Sequence, residues 1–193
     1  MADLVAWDAV TQVLAEQAPL WRPGTAFAYH AITVGFLAGE ILRRATGKRP
    51  AQLLHDYVCE PLGLDMTYGG NLADPDLAPI GDPLPDRDPA AAVALTAALN
   101  DRLPARIMGM GGAFNGLDLF RTANSSDFLG HESPAANVVT NARSVARFYA
   151  ATVGEVDGIR LLRSGTVRDA RREQSAGQPF VGPSTWLDGA PAS

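Results

Sequence analysis

The sequence predicts a mainly α-helical fold with few short strands and long irregular connections. Apolar residues recur at helical spacing in four stretches: 6–17, 29–46, 50–58 and 141–153. Only short pieces, such as 66–70, are candidates for strands. A segment of five prolines and five aspartates, residues 71–89, is typical of a surface loop rather than of a packed element.

Composition bounds the size of the fold and its partners. At 193 residues with 47% apolar content, the chain is long enough for one domain with a sizeable core. The net charge of −5 is spread along the chain without a basic run, which argues against a nucleic-acid partner. Cys59 is the single cysteine, so no intrachain disulfide is possible, and its apolar neighbours indicate a buried side chain rather than a nucleophile.

No stretch reaches the roughly 18 apolar residues that a membrane span requires. The first ten residues do not have the basic and apolar regions of a secretory signal. We therefore expect a cytoplasmic protein that has no membrane partner, and the sequence leaves its oligomeric state open.

The first predicted helix covers residues 6–17. Its apolar positions lie on one side, Asp3 is a candidate cap, and Pro19 stops the helix. The turn pair Pro23-Gly24 then redirects the chain, so we expect this helix to pack against the next one.

The second predicted helix, Tyr29 to Thr46, has the clearest pattern. Its apolar line consists of Val34, Leu37, Ile41 and Ala45, flanked by Ala38 and Leu42. Glu40, Arg43 and Arg44 lie off this line, so we expect their side to face water. Two glycines inside the helix, Gly35 and Gly39, suggest a close neighbour across that face.

A third helix should begin near Pro50 and end before Pro61. Further helices are predicted at 90–103, at 141–153 with Asn141 or Thr140 as cap, and from about Ser164 to Glu173. Residues 1–173 are expected to form one partial domain. The tail, 174–193, has no periodicity and should be poorly ordered, leaving Phe180 and Trp186 exposed unless they dock.

Several short patterns in the chain resemble one protein family. They are Pro-Gly-Thr at 23–25, Tyr29-His30, Gly-Phe-Leu at 35–37, Arg-Arg-Ala-Thr-Gly-Lys at 43–48 and Glu-Pro-Leu-Gly-Leu-Asp at 60–65. A second matching region runs from Pro134 to Tyr149. Together these patterns resemble the middle portion of a serine β-lactamase-related hydrolase, of the esterase-like and penicillin-binding-protein-like branch.

The resemblance implies a fold that joins an α/β layer to an all-α lobe, with most of this chain in the helical lobe. It implies that Tyr29 is a catalytic residue, which acts with a lysine in proton transfer to and from a nucleophilic serine. The substrate would be a small-molecule ester or amide, and residues 134–140 would lie beside the substrate cleft.

The chain departs from that family in the motifs that carry the chemistry. It contains no Ser-x-x-Lys, no Lys-Thr-Gly and no His-x-Gly, and its only lysine is Lys48. A tyrosine hydroxyl ordinarily has a pKa near 10, so Tyr29 needs a cation or a shared proton to act as a base. We therefore expect a fragment or degraded copy that is inactive alone. The alternative is a non-catalytic helical module that binds a partner.

No cofactor or metal is expected. The glycine-rich stretch 109–116 has Phe114 where a dinucleotide fingerprint requires glycine. His131-Glu132 would need a histidine at position 135 to form a zinc motif, and Ala135 stands there.

Overall fold

A computed structural model of the protein describes residues 6–81 and 122–181, together with Asp88 and Ala90. The helices are α1 (Trp7–Glu16), α2 (Thr33–Thr46), α3 (Pro50–Leu54), α4 (Glu60–Leu62), α5 (Ser126–Leu129), α6 (Ala142–Val153) and α7 (Ser164–Ala170), and a π-helical turn, His55–Cys59, joins α3 to α4. The strands are β1 (Met66–Tyr68) and β2 (Val138–Thr140). The helix predicted at 90–103 and the glycine-rich stretch 109–116 lie outside the described residues.

The predicted mainly α class is confirmed. Within the described ranges the strands form one small antiparallel sheet, in which Met66 pairs with Thr140 and Tyr68 with Val138. In the same part of the chain, no helix combines the length and apolar character needed to cross a bilayer.

Helix α1 packs against α2, as predicted. Trp7 is 4% exposed, and its ring centroid lies 5.3 Å from that of the fully buried Phe36. A Cβ atom on Gly39 would lie 2.5 Å from Trp7 Cη2 and 2.8 Å from Pro50 Cγ. The absence of a side chain at Gly39 therefore allows this close approach, which confirms the expectation from the two helical glycines.

The prediction that α2 begins at Tyr29 was wrong, because the helix begins at Thr33. The backbone of residues 26–27 forms hydrogen bonds with groups outside the helix: Ala26 O accepts from Trp21 Nε1, and Phe27 pairs with Pro179 and Val181. Tyr29 therefore lies in the irregular segment that leads into the helix. At its other end α2 stops as predicted, with Gly47 in the left-handed conformation at φ 75°.

The apolar line of α2 faces outward, which corrects a second expectation. Val34, Leu37 and Ile41 are 48%, 41% and 69% exposed. The buried side of the helix carries Phe36 and Glu40 instead. The helix is present, but among the described residues no element covers its apolar face.

The third helix continues past Pro61, although we predicted that it would stop before that residue. The chain stays helical from Pro50 through the π-helical turn to Leu62, and Gly63 ends it at φ 59°. In a regular α-helix the Pro61 ring would meet the carbonyl group four residues earlier. The wider π turn changes the path of the preceding carbonyls, which gives a physical reason for the tolerance.

A second core lies under α4, β1 and α6. Its buried members are Cys59, Leu62, Leu64 and Ala151. The Cys59 thiol donates to Met66 O, and burial raises its pKa. The expectation of a buried side chain is confirmed.

Helix α6 is capped as predicted, since Asn141 Oδ1 accepts a hydrogen bond from Ser144 N at 2.9 Å. Its buried residues are Ser144 and Ala151. Tyr149 is 65% exposed, whereas Ser144 is buried because its hydroxyl accepts a hydrogen bond from Asp65 N. This contact joins α6 to the residue that precedes β1.

The beginning of the tail docks onto the rest of the protein. Phe180 forms a parallel bridge with Phe27, and the two ring centroids lie 5.2 Å apart. The structure describes the tail only as far as residue 181, so the expectation of poor order for residues 174–193 stays a prediction. The limit of the domain at residue 173 stays a prediction, and Trp186 lies outside the described residues.

Candidate active site

The predicted catalytic residue, Tyr29, lies on a short segment that is fixed on its N-terminal side by a turn. Gly24 adopts φ 81°, and Thr25 bonds to Arg22 O through both its N–H and its hydroxyl. Trp21 Nε1 then donates to Ala26 O at 3.1 Å. These contacts determine the direction in which the chain reaches Tyr29.

A second contact holds the same segment from the far end of the chain. Phe27 N donates to Pro179 O at 3.1 Å, and Val181 N donates to Phe27 O at 2.7 Å. We call this pairing of Phe27 with residues 179–181 the C-terminal strap. Because Phe27 is two residues before Tyr29, the strap restricts the backbone that carries the phenol.

On the other side, the segment is anchored by α2. His30 Nδ1 lies 2.9 Å from Thr33 Oγ1, the first residue of the helix. A Cβ atom on Gly35 would lie 2.5 Å from Ala135 N, so α2 is in close contact with residues 134–140, a loop that ends in β2. The first residues of α2 therefore contact both the Tyr29 segment, through Thr33, and the loop, through Gly35.

Tyr29 itself is 55% exposed. The phenol is therefore accessible to a substrate or to a second catalytic group. Its role in catalysis stays a prediction.

The only lysine of the chain is engaged elsewhere. Lys48 Nζ lies 2.7 Å from Asp56 Oδ2 and 5.5 Å from the centroid of the Tyr57 ring. The hydrogen bond to Asp56 raises the pKa of Lys48, so the amine stays protonated at neutral pH. Lys48 is thus unsuited to accept a proton from a serine.

The loop 134–140 is built around Asn137, which is 5% exposed. Its Nδ2 donates to Phe128 O at 2.9 Å and to His131 O at 2.6 Å, while its Oδ1 accepts from Ser133 N at 2.9 Å. One amide therefore satisfies three backbone groups and fixes the path of the loop into β2.

The same loop lines a cavity of about 400 Å³. The remaining walls come from the segments 72–80 and 123–129. Most of the lining side chains are apolar, among them Leu77, Ile80, Phe128 and Val139. The size and lining suit a small apolar group.

The side chains of His131 and Glu132 form hydrogen bonds with other parts of the fold. Glu132 accepts hydrogen bonds from Arg49 Nε at 2.9 Å and from Ala51 N at 2.7 Å, at the start of α3. His131 Nδ1 lies 2.6 Å from Asp127 O.

One group in the described part of the chain has the geometry to hold a metal ion: His55, Asp56 and Glu60 place one ligand atom each within 4.8 Å of one another. The Lys48 ammonium already forms an ion pair with the Asp56 carboxylate and would compete with a metal ion for it.

Two features of this region were not predicted from the sequence. The strap joins residues more than 150 positions apart, so no local sequence pattern predicts it. The aromatic Phe180 in a polar tail was a signal that the tail could dock. The burial of Glu40 against Trp7 was missed because a glutamate between apolar residues ordinarily faces water.

The sequence of this chain matches a known protein family. The family model described as Beta-lactamase matches residues 1–190. The Esterase/beta-lactamase LipL of Mycobacterium tuberculosis is 34% identical over 153 residues, which cover 76% of this chain and 35% of that protein.

Solved structures give the same result. A family VIII carboxylesterase superposes with a TM-score of 0.70 at 29% identity, covering 90% of this chain and 44% of that chain. A penicillin-binding protein homolog from Caulobacter crescentus superposes with a TM-score of 0.63 at 29% identity. The superposition covers 93% of this chain and 45% of the homolog. The chain spans less than half the length of each of these relatives. Because the family model covers almost all of the sequence, this chain belongs to the β-lactamase family of serine hydrolases.

Proposed function

We propose that this chain is the tyrosine-bearing part of a serine hydrolase that cleaves small-molecule esters or amides through an acyl-serine intermediate. The observation that carries the proposal is the position of Tyr29, which is 55% exposed on a segment held by the turn, the strap and α2. The family membership of the chain and the names of its relatives, an esterase/β-lactamase and a carboxylesterase, support the same chemistry.

In the proposed reaction a serine oxygen attacks the substrate carbonyl, and its proton passes to the Tyr29 phenolate, which is stabilised by a neighbouring lysine. Backbone N–H groups stabilise the negative oxygen of the tetrahedral intermediate. Tyr29 then returns the proton to the departing alkoxide or amine, and the acyl-serine remains. A water molecule then gives a proton to the same phenolate and attacks the acyl carbonyl. Tyr29 returns that proton to the departing serine oxygen, so the acid is released and the serine is restored.

The serine and its partner lysine are not among these 193 residues, because the sequence contains no Ser-x-x-Lys and Lys48 is bound to Asp56. We propose that both come from the part of the fold that the relatives have and this chain does not. The chain by itself should be inactive.

The apolar cavity beside residues 136–140 supports a substrate with a small apolar acyl group. Its lining excludes a strongly charged acyl group more readily than an aliphatic one, because a charge would lose its hydration there.

A fluorophosphonate probe, which labels activated serines covalently, tests the proposal. The 193-residue chain alone should remain unlabelled. The second protein is a chimera. In the family VIII carboxylesterase, the 44% of the chain that aligns with these residues is removed, and the 193-residue chain is inserted in its place. The chimera should be labelled at a serine contributed by the carboxylesterase. Labelling of any serine in the isolated chain would overturn the proposed division of the active site.

A second candidate is a helical interaction module without catalysis, which the exposed apolar face of α2 favours. Such a module should be a cooperative monomer that gains no labelling when it is joined to the carboxylesterase portion. The fluorophosphonate experiment therefore separates the two candidates.

A further inference from the structure

Glu132 joins two parts of the chain that are more than 80 positions apart in sequence. Its carboxylate accepts hydrogen bonds from Ala51 N at 2.7 Å and from Arg49 Nε at 2.9 Å. Because Pro50 has no N–H group, Ala51 carries the first free backbone donor of α3, and Glu132 satisfies it. The Glu132 side chain is 11% exposed, so these charge-assisted bonds are largely shielded from water. We call this set of contacts the Glu132 anchor.

The α3 end of the anchor is held in place by α1 and α2. The guanidinium carbon of Arg49 lies 4.6 Å from the centre of the Trp7 ring, which is 4% exposed. Pro50 is buried, and a Cβ atom on Gly39 would lie 2.8 Å from its Cγ. Both donors of the anchor therefore belong to a closely packed junction of three helices.

The other end of the anchor is the start of a compact turn, residues 133–137. Ser133 follows Glu132 directly, is 1% exposed and donates its N–H to Asn137 Oδ1. Its carbonyl oxygen accepts from Ala136 N at 2.9 Å and from Asn137 N at 3.1 Å. These bonds tie the turn together, so we expect a displacement of Glu132 to move the whole turn.

The 133–137 turn lies between the two features that the proposed reaction uses. On one side Ala135 contacts Gly35 of α2, six positions after Tyr29. On the other side, residues 136–140 line the apolar cavity. The spacing between the phenol and the cavity therefore depends on where the anchor holds the turn.

From these contacts we infer that Glu132 is a positioning residue of the proposed hydrolase, because it sets the spacing between Tyr29 and the cavity that receives the acyl group. The inference rests on the proposed function and adds a residue to the same site. Glu132 acts through the turn, since both of its carboxylate oxygens are bound at the start of α3. Catalysis is sensitive to such spacing, because a misplacement of about 1 Å can cost on the order of 100-fold in rate.

A purely structural role for Glu132 predicts a different result. If the carboxylate only capped α3, its loss would lower the midpoint of unfolding. The enzyme that remains folded at a lower temperature would then keep its kcat/KM and its preference among substrates. A positioning role instead predicts altered kinetics in the folded protein.

The test uses the carboxylesterase chimera at a temperature at which circular dichroism shows every variant to be folded. Glu132→Ala should lower kcat/KM for p-nitrophenyl butyrate at least about tenfold. The ratio of kcat/KM for the butyrate and octanoate esters should change at least about threefold, because the wall of the cavity has moved. Glu132→Gln should stay within about threefold of the parent, because its amide oxygen can still accept from Ala51 N.

Arg147→Ala is the matched control. Arg147 also combines an ion pair, with Asp157, and a hydrogen bond to a distant backbone group, Leu62 O. These partners lie away from the 133–137 turn, at the end of α4 and in the turn after α6. Arg147→Ala should leave both kcat/KM and the ester ratio within about twofold of the parent. Glu132→Asp, whose charged side chain is one methylene shorter, gives the same comparison if Glu132→Ala does not fold.

Hydrogen exchange in the isolated chain adds a measurement that needs no activity. Glu132→Ala should accelerate exchange at the amides of Ala136 and Asn137 at least about threefold, whereas Arg147→Ala should not. Unchanged exchange at these two amides would overturn the inference. Parent values of kcat/KM and of the ester ratio in the folded Glu132→Ala chimera would also overturn it.

The outcome for Glu132 is separate from the outcome for Tyr29. A chimera that loses activity with Tyr29→Phe, yet is unaffected by Glu132→Ala, would contradict the positioning role and leave the proposed reaction standing. A chimera whose ester ratio changes with Glu132→Ala, but whose activity survives Tyr29→Phe, would do the reverse.

Discussion

Trp7 Nε1 donates a hydrogen bond to Glu40 Oε2 at 3.0 Å in the interface between α1 and α2. The same carboxylate accepts from Arg43 Nε at 2.6 Å and from Arg44 Nε at 2.8 Å. The side chains of three residues thus donate to one carboxylate, whose side chain is 11% exposed. This pair links the first helix to the helix that follows Tyr29.

The Glu40 carboxylate should make the free energy of unfolding decrease at acidic pH. Hydrogen bonds from Arg43, Trp7 and Arg44 lower the pKa of Glu40 well below its ordinary value of 4.5. The stabilisation is therefore fully present above pH 4.5 and is lost as the pH falls toward the folded-state pKa. Glu40→Gln should lower the midpoint of thermal unfolding at pH 7 and reduce its change between pH 5 and pH 3. Parallel unfolding curves for the two proteins over this pH range would contradict the assignment.

Gly39 should not tolerate even a methyl group. A Cβ atom there would lie within 2.8 Å of both Trp7 and Pro50, so Gly39→Ala should cost about 1–3 kcal/mol of unfolding free energy despite the better helix propensity of alanine. Urea denaturation followed by Trp fluorescence measures the change. An alanine variant as stable as the wild type would mean that α1 and α2 are farther apart than the structure shows.

Asn137 should contribute more to the free energy of unfolding than Asn124, which makes similar hydrogen bonds nearer the surface. Asn137→Ala leaves the carbonyls of Phe128 and His131 and the N–H of Ser133 without a side-chain partner, and we expect a loss of at least about 2 kcal/mol. Asn124 is the matched control, because its amide binds both Ile80 N and Ile80 O at 2.8 Å in an exposed position. Asn124→Ala should cost less than about 1 kcal/mol, and equal losses in chemical denaturation would contradict the structural role of Asn137.

The C-terminal strap should protect the segment before Tyr29. Phe180→Ala removes the ring that lies 5.2 Å from Phe27, so the two hydrogen bonds of the strap should open more often. Hydrogen exchange at the amides of Phe27 and Val181 should become at least about threefold faster, with little change in α6. Unchanged exchange at these two amides would show that the strap holds without the aromatic contact.

The sequence predicted those parts of the fold that depend on local patterns. The boundaries of α1 and α6, the left-handed Gly47 and the cap at Asn141 follow from periodicity, glycine and a capping side chain, and the structure shows them nearly where they were expected. The errors lie where distant contacts override local preference. Tyr29 lies outside α2 because residues 26–27 bond elsewhere, and the apolar face of α2 points outward because its glycines approach Trp7 and Ala135.

The candidate site was predicted only in part, and for a similar reason. The family resemblance singled out Tyr29 and the loop 134–140, and α2 contacts that loop through Gly35. The strap from residues 179–181 and the buried amide of Asn137 position these parts, but each depends on pairings between segments that no local pattern records.

The central claim is that Tyr29 transfers protons for a serine that another portion of the fold supplies. The most direct measurement is kcat/KM of the carboxylesterase chimera for a short-chain p-nitrophenyl ester, before and after Tyr29→Phe, with Tyr57→Phe as the control because Tyr57 is also exposed. We predict that Tyr29→Phe lowers kcat/KM by about 10²- to 10⁴-fold with unchanged thermal unfolding, while Tyr57→Phe has no such effect. An active chimera whose kcat/KM survives Tyr29→Phe would contradict the account.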